Sequence, residues 1–455
     1  MTNTGVSPYW ELTFDAEGHV STSQRDAMRA GVRDESITDL IVFSHGWNNS
    51  RSIASALYQR FFEPVPELLD RGESRSKVGY VGIIWPSMRW TDEPIPAFSS
   101  QPETAPPGQD GTAAFGLTAT AQQTALPRSL DGDTRKALVD VFPGRADLIE
   151  QLAELLNERP EDAKSLDHFF RLAKSLVEDT NAGSDTEEEA SGQPAMLADA
   201  PRDVFRSFLP YLTRVGVRDP DVDDGTASFG RSPLRGLWNG AREMLRQTTY
   251  YQMKQRAGQV GRFGLGPILS LLQEGPAAPR VHLVGHSFGA RLVSFALKDL
   301  PDDADCVQSL TLLQAAFSHF SFAESLPHDK ARSGELRHSQ KKVDGPIVAC
   351  FSKHDDSVGT FYPIASLLKG DDAAAMETLY RWGALGHDGI QGTNEVVPFS
   401  IAVGEMTPTY DFPSKGYVNM DAASVVCRGG PPSGAHSDIC HPELASVVLS
   451  AAQVI

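Results

Sequence analysis

The stretch Arg280–Ala290 (RVHLVGHSFGA) decides the fold class of this chain. It begins with a short, largely apolar run, Arg280–Val284, which predicts a buried strand. The glycine-flanked turn Gly285–Gly289 follows at once, and Ala290–Phe295 (ARLVSF) continues as a helix. A buried strand that passes through a tight turn into a helix indicates an α/β protein.

Ser287 lies at the centre of that turn, in the pattern G-x-S-x-G. Between a strand and a helix, this pattern holds a serine on a sharp, strained turn with its hydroxyl presented to a substrate. We expect Gly285 and Gly289 to be required, because a Cβ atom would collide where strand and helix close on each other. The alternative is a glycine turn in which the serine has no chemical role.

Other apolar runs predict further strands, and their continuity is typical of a parallel sheet covered on both faces. They are Asp39–Ser44, Val78–Trp85, Leu310–Leu313, Pro346–Phe351 and Tyr417–Val426. The apolar spacing in Ser50–Leu69 predicts a helix that Pro64 and Pro66 kink or end early. Tyr9–Val20 is expected to form an antiparallel pair with a turn near Gly18.

With these residues the sequence resembles the α/β-hydrolase superfamily of serine hydrolases. The resemblance covers Met1–Trp90 and roughly Gly275–Ile455. It implies a mostly parallel, doubly wound α/β sheet, a nucleophile–acid–histidine order along the chain, and Ser287 as the nucleophile. The motifs are specific for the superfamily and do not identify a substrate.

The resemblance implies an acid after the strand Pro346–Phe351. In the family this acid commonly lies in G-x-x-D-x-x-V, and Ser352–Val358 (SKHDDSV) matches that pattern except that serine replaces the glycine. The match favours Asp355 as the acid, with its neighbour Asp356 as the alternative. An Asx turn that ends the strand is the structural interpretation of Asp355.

The resemblance also implies a histidine base in a loop near the end of the sequence. Gly434–Pro442 (GAHSDICHP) contains His436 and His441. His436 lies in the glycine-containing loop, which can deliver its ring to Ser287, and it is the predicted base. His441 precedes the proline that begins the final helix, where a capping role or simple surface exposure is expected.

Two backbone amides are expected to stabilise the negative charge that develops on an acyl oxygen. The resemblance implies the amide after the nucleophile, that of Phe288, and an amide in the turn after an earlier strand. His45-Gly46-Trp47 occupies that turn, so the Trp47 amide is the second candidate for this oxyanion hole. The side chains of His45 and His286 are expected to be structural.

Residues 91–274 are expected to form a large, mainly helical cap or insertion, which leaves 1–90 and 275–455 as the catalytic core. Segments near 92–131 and 181–203 have the composition of disordered loops. Apolar residues at helical spacing also predict amphipathic helices, within 148–156, 169–177 and 205–212. These helices would lie over the carboxyl ends of the strands as a lid, or would pack on the core.

The composition excludes several classes of protein. With 59 acidic against 41 basic residues and a net charge of −18, the chain is not expected to bind nucleic acid. No apolar stretch is long enough for a transmembrane segment. Met1–Phe14 lacks the pattern of a secretory signal, so a cytoplasmic location is expected, with signal-independent export left open. The four cysteines are expected to be reduced thiols, with a bridge between Cys427 and Cys440 as the alternative. No pattern indicates a metal or a cofactor.

These observations predict a serine hydrolase that cleaves carboxylic esters, as esterases and lipases do, through Ser287, His436 and Asp355. Its substrate would be a small-molecule or lipid acyl ester. A peptidase, amidase or thioesterase with the same triad is the first alternative. An exported lipolytic effector and a non-catalytic scaffold on the hydrolase fold are the others. The sequence predicts no oligomeric state.

Overall fold

The computed structural model describes most of the chain. The described residues are 4–91, 95, 129–178, 197, 199–214, 234, 236–274, 278–302, 304, 307–358, 383–404, 407–430 and 433–455. They form an α/β fold around one parallel sheet. The predicted α/β class is therefore confirmed.

The described strands join in a single eight-stranded sheet. They are β1 (Tyr9–Thr13), β2 (Asp39–Ser44), β3 (Val78–Ile84), β4 (Arg280–His286), β5 (Val307–Leu313), β6 (Pro346–Phe351), β7 (Val396–Ser400) and β8 (Gly416–Asp421). The order across the sheet is β1-β3-β2-β4-β5-β6-β8-β7, and all neighbours pair in parallel. Because the strands run in one direction, their carboxyl ends all meet at one edge of the sheet.

The order of the strands makes a switch point between β2 and β4. After β2 the chain adds β3 on one side, and it later returns to place β4 on the other side of β2. Ligands of open parallel sheets bind outside the carboxyl ends of the strands at such a point. His45 follows β2 and Ser287 follows β4, so the two predicted parts of the site meet there.

The described helices pack on this sheet or on other helices. They are α1 (Thr22–Asp34), α2 (Arg51–Phe62), α3 (Val65–Arg71), α4 (Gly132–Val141), α5 (Ala146–Glu158), α6 (Ala163–Glu178), α7 (Pro201–Arg214), α8 (Leu237–Gln259), α9 (Gly266–Leu272), α10 (Phe288–Phe295), α11 (Leu385–Asp388) and α12 (Pro442–Ala451). A π-helical turn, Val260–Leu265, joins α8 to α9, and Ser339–Lys342 forms a 3₁₀ turn. The break between α2 and α3 contains Pro64, one of the two prolines expected to interrupt this helix, whereas Pro66 lies in the first turn of α3.

Both faces of the sheet are buried, as the continuous apolar runs predict. Successive side chains of a strand point to opposite faces. Leu40 and Val42 of β2 join one hydrophobic cluster with α1, α8 and α10. Ile41 and Phe43 join a second cluster with α2, α3 and α12.

The beginning of the chain differs from the prediction. Tyr9–Thr13 pairs in parallel with β3, and the expected antiparallel pair is reduced to one bridge, between Phe14 and Val20. The parallel pairing lets β1 satisfy the open edge of β3, a partner that is distant in sequence. β7 was not predicted, since Val396–Ser400 is short, partly exposed and contains a proline, features of an edge strand.

Residues 91–274 are mainly helical where they are described, as α4 to α9 show. Leu152 of α5, Phe169 of α6 and Phe205 of α7 belong to the same hydrophobic cluster as Leu283 of the sheet. The division into a catalytic core and a cap stays a prediction. Most of the two loops predicted to be disordered, 92–131 and 181–203, lies outside the described residues. Of the described helices, none combines the length and the apolar character that a bilayer crossing requires.

Candidate active site

Ser287 lies between the end of β4 and the start of α10, in a strained backbone conformation. Its φ and ψ angles are 57° and −121°, a region that residues other than glycine rarely adopt. The Ser287 N–H donates a hydrogen bond to the carbonyl of Leu313 at the end of β5 (3.1 Å), and the residue is 6% exposed. The neighbouring strand therefore helps to hold this turn.

The glycines around Ser287 are needed because other atoms occupy the space of their missing side chains. A Cβ atom at Gly285 would lie 2.4 Å from the Cα atom of Ala290, where strand and helix close on each other. At Gly289 it would lie 2.1 Å from the carbonyl oxygen of Ser44, so the obstacle there is the end of β2. Both contacts are far below van der Waals distance.

Three of the predicted catalytic side chains lie in one hydrogen-bonded chain. The Ser287 Oγ atom is 2.8 Å from Nε2 of His436, and Nδ1 of the same ring is 2.8 Å from Oδ2 of Asp355. These side chains come from the carboxyl ends of β4 and β6 and from the loop after β8. With Asp355 accepting from Nδ1–H, Nε2 is left to accept the proton of the serine hydroxyl.

The two adjacent aspartates that were candidates for the acid have different environments. Asp355 is completely buried, and its second carboxylate oxygen accepts a hydrogen bond from the Val358 N–H (3.2 Å). The carboxylate of Asp356 instead lies beside Gly434. The structure thus brings the favoured aspartate, Asp355, to His436.

The loop that carries His436 is tied to the rest of the site by hydrogen bonds. The Ala435 N–H donates to the carbonyl of His354 in the acid loop (2.9 Å). The His286 ring donates through Nε2–H to the carbonyl of His436 (2.8 Å). Burial lowers the pKa of His286 to about 3, so this ring is neutral and keeps the single N–H that the contact requires. A structural role was expected for His286, but its hydrogen bond to the His436 carbonyl was not predicted.

His441, the alternative base, has a different contact. Its Nε2 atom is 2.8 Å from one carboxylate oxygen of Asp438. The other oxygen of Asp438 accepts hydrogen bonds from the N–H groups of Cys427 and Arg428. The His441 ring is therefore hydrogen-bonded within the loop before α12, to Asp438 and not to Ser287.

The two residues predicted to supply the oxyanion amides, Phe288 and Trp47, lie close to the turn at Ser287. Phe288 is the first residue of α10, and an amide at that position has no acceptor within its own helix. Trp47 follows Gly46, which lies so close that a Cβ atom on it would be 2.6 Å from Cβ of Ser287. The rings of Trp47 and Phe288 have their centroids 6.2 Å apart. The structure therefore places both residues beside the serine.

His45 supports this turn as expected. Its ring donates through Nδ1–H to the carbonyl of Gly46 (2.8 Å) and stacks on the indole of Trp85, with centroids 5.6 Å apart. The Trp85 indole N–H donates to the His45 carbonyl (2.9 Å). Burial lowers the pKa of His45 to about 4, so the ring is neutral at physiological pH.

Tyr250 was not predicted to be near the site. It lies on α8, and its ring centroid is 4.8 Å from that of Phe288 and 5.8 Å from that of Trp47. The three rings form an aromatic cluster, in which Phe288 and Tyr250 are buried and Trp47 packs against them from a partly exposed position. No local pattern distinguishes Tyr250 within its polar helix, so only the packing of α8 reveals its position.

A second group of histidines surrounds Asp388 on α11. Its two carboxylate oxygens are 3.0 Å from Nδ1 of His319 and 2.7 Å from Nδ1 of His387. The hydrogen bond with Asp388 raises the pKa of His387. This group has no metal-ligand arrangement. Among the described residues, such an arrangement occurs only in an exposed group, Asp15, Glu17 and His19.

The described cysteines do not form a disulfide. Cys350, Cys427 and Cys440 are free thiols, and burial raises the pKa of Cys440 to about 12. A bridge between Cys427 and Cys440 is therefore absent from this structure.

The chain was also compared with known proteins. No family model matches it, and searches of curated proteins and of solved structures gave no match.

Proposed function

We propose that the protein is a serine hydrolase that cleaves carboxylic esters through an acyl-enzyme intermediate. The observation that carries this proposal is the hydrogen-bonded chain from Ser287 through His436 to buried Asp355. The parallel α/β sheet and the strained turn at Ser287 support it, since this arrangement matches the resemblance of the sequence to the α/β-hydrolase superfamily.

In the proposed reaction, the Ser287 oxygen attacks the carbonyl carbon of the ester while Nε2 of His436 takes the hydroxyl proton. Asp355 keeps the proton on Nδ1 and stabilises the imidazolium. The amides of Trp47 and Phe288 donate to the oxyanion of the tetrahedral intermediate. The intermediate collapses as His436 protonates the leaving alcohol, which leaves an acyl group on Ser287.

The second half of the reaction repeats these roles with water. His436 takes a proton from the water molecule, and the resulting hydroxide attacks the acyl carbon. A second tetrahedral intermediate then releases the carboxylic acid and returns the proton to Ser287. The reaction is a net hydrolysis, so no oxidant or reductant is needed.

The aromatic cluster beside the turn supports an apolar acyl group in the substrate. Trp47, which is partly exposed, follows Gly46, the residue that lies against Ser287, and its ring packs against those of Phe288 and Tyr250. Tyr250 belongs to the region 91–274, which in this proposal is the cap of the site. The proposed substrate is accordingly a small-molecule or lipid acyl ester.

The first test is the substitution Ser287→Ala. We expect kcat on p-nitrophenyl esters to fall about 10³-fold or more, because the nucleophile is lost. A fluorophosphonate probe should label the natural chain and leave the variant unlabelled. Ser294→Ala, a buried serine of α10, is the matched control and should keep both properties. Full esterase activity in Ser287→Ala would contradict the proposal.

A further inference from the structure

The carbonyl group of Gly46 accepts two hydrogen bonds from its own loop. One comes from Nδ1–H of His45 (2.8 Å) and the other from the side-chain amide of Asn49, through Nδ2 (3.1 Å). The Asn49 amide also donates to the carbonyl of Trp47 (2.9 Å). Since both of its partners are carbonyl oxygens, the side chain must present its NH₂ group to them.

These bonds fix the direction of the peptide that links Gly46 to Trp47. In a trans peptide the C=O and N–H groups point in opposite directions. A carbonyl held by Asn49 and His45 therefore keeps the Trp47 N–H pointing in the opposite direction within the same peptide plane. That N–H is one of the two proposed oxyanion donors.

Gly46 makes such a fixation necessary. Its Cβ position is blocked by Ser287, with Cβ of that residue at 2.6 Å and Oγ at 3.1 Å, so a larger residue does not fit. Glycine, however, leaves the adjoining peptide freer to rotate than any other residue does. A rotated peptide would present a carbonyl oxygen to the oxyanion and would repel it.

We infer that Asn49 is a positioning residue, which holds the Gly46–Trp47 peptide with its N–H toward the substrate oxygen. Asn49 is itself anchored, since its backbone N–H donates to Oγ of Ser87 (3.3 Å) and its carbonyl accepts from the same hydroxyl (2.8 Å). Through Ser87, the loop after β3 thereby helps to hold Asn49, and with it the Gly46–Trp47 peptide, in place. This inference rests on the proposed function and adds a determinant of its rate.

The test compares Asn49→Asp with Asn48→Asp, two adjacent substitutions with the same change of size and charge. In Asn49→Asp a carboxylate replaces both donors and faces two carbonyl oxygens. In Asn48→Asp the acceptor of the Trp90 N–H is kept, because Oδ1 of Asn48 accepts this hydrogen bond and a carboxylate oxygen accepts equally well. Asn48→Asp is therefore the matched control.

We expect Asn49→Asp to lower kcat on p-nitrophenyl esters about 10- to 100-fold, with KM nearly unchanged. Complete loss of one oxyanion donor costs about 10²- to 10³-fold, and a misdirected donor should cost less. Fluorophosphonate labelling and the affinity for a trifluoromethyl ketone should fall in parallel, because both place an oxygen in the oxyanion hole. Asn48→Asp should stay within about twofold of the natural chain.

Unfolding curves in urea separate this effect from a loss of structure. Should Asn49→Asp be unfolded, Asn49→Ala serves instead, since it removes the donors without adding charge, and a decrease in kcat of about tenfold is expected. Equal kcat in the folded Asn49 variant and the control would overturn the inference. If that inference fails while Ser287→Ala is inactive and unlabelled, the proposed function stands without a positioning role for Asn49. An active Ser287→Ala rejects the proposed function itself.

Discussion

At the scale of single residues, the site depends on which of two adjacent side chains faces His436. Asp355 is buried with its carboxylate on the ring, whereas the next residue, Asp356, directs its carboxylate to Gly434. The family pattern favours the first aspartate by its position in G-x-x-D-x-x-V. The physical reason is that the loop after β6, which carries both aspartates, packs against the loop that carries His436, with the Ala435 N–H donating to the His354 carbonyl.

Asp355→Asn is predicted to lower kcat about 10³-fold or more, because an amide cannot keep the His436 proton on Nδ1 and stabilise the imidazolium. Asp356→Asn should change kcat by no more than a few fold. Both are measured on the same p-nitrophenyl ester across pH 6 to 9. A severe loss confined to Asp356→Asn would show that the acid has been assigned to the wrong residue.

At the scale of elements, helix α10, which begins at Phe288, packs closely against the end of α8 and the π-helical turn that follows it. The π-helical turn Val260–Leu265 lies against α10, and a Cβ atom at Gly261 would lie 2.1 Å from the carbonyl oxygen of Leu292. Gly258 likewise faces the ring of Phe295. Small residues here let two helices approach closely enough to hold α10 at its angle to the sheet.

Gly261→Ala is predicted to destabilise the protein by about 1–3 kcal/mol, because the added methyl group overpacks this contact. Gly132→Ala is the matched control. Among the residues that the structure describes, none outside its own chain neighbours and helix backbone has an atom within 4 Å of its Cβ position, and alanine should be neutral there or stabilising by up to about 1 kcal/mol. The midpoint of urea unfolding, followed by circular dichroism, distinguishes the two variants. Identical midpoints would mean that α10 can move away from the turn at little cost.

At the scale of the whole molecule, buried neutral histidines couple folding to pH. Burial lowers the pKa of His45 to about 4 and of His286 to about 3, and it also lowers the pKa of His282, although Asp39 accepts a hydrogen bond from that ring. An unfolded histidine has a pKa of about 6.5. Below that pH, the unfolded chain binds protons that the folded chain does not.

The contribution of these histidines to the free energy of unfolding is therefore predicted to be complete above pH 6.5. The free energy of unfolding should fall as the pH is lowered from 6.5 to 4. Each such histidine contributes a slope approaching about 1.4 kcal/mol per pH unit. His387, whose pKa is raised, opposes this trend. Urea unfolding at pH 7, 6 and 5 measures the slope. His286→Gln, which retains a donor for the His436 carbonyl, should reduce it, and a flat profile would rule out neutral burial.

Much of the central sheet was predictable because its signals are local. The continuous apolar runs of β2, β3, β4 and β6 need only a few adjacent residues to be recognised. The predicted strand at Tyr417–Val426 ends earlier, at Asp421, and the edge strands β1 and β7 were missed or misassigned. Edge strands are short and partly polar, so their pairing depends on a partner elsewhere in the chain.

The sequence alone determined the turn at Ser287, since glycines, strand and helix lie within a few residues of one another. Its resemblance to the α/β-hydrolase superfamily also supplied the candidates Asp355, Asp356, His436 and His441, through the order of residues that the resemblance implies. Only the tertiary structure decided that Asp355 and His436 meet the serine. It also decided that Asn49 holds the Gly46 carbonyl and that Tyr250 packs beside Phe288. The physical reason is that these contacts join residues through three-dimensional packing and side-chain direction, which no local pattern encodes.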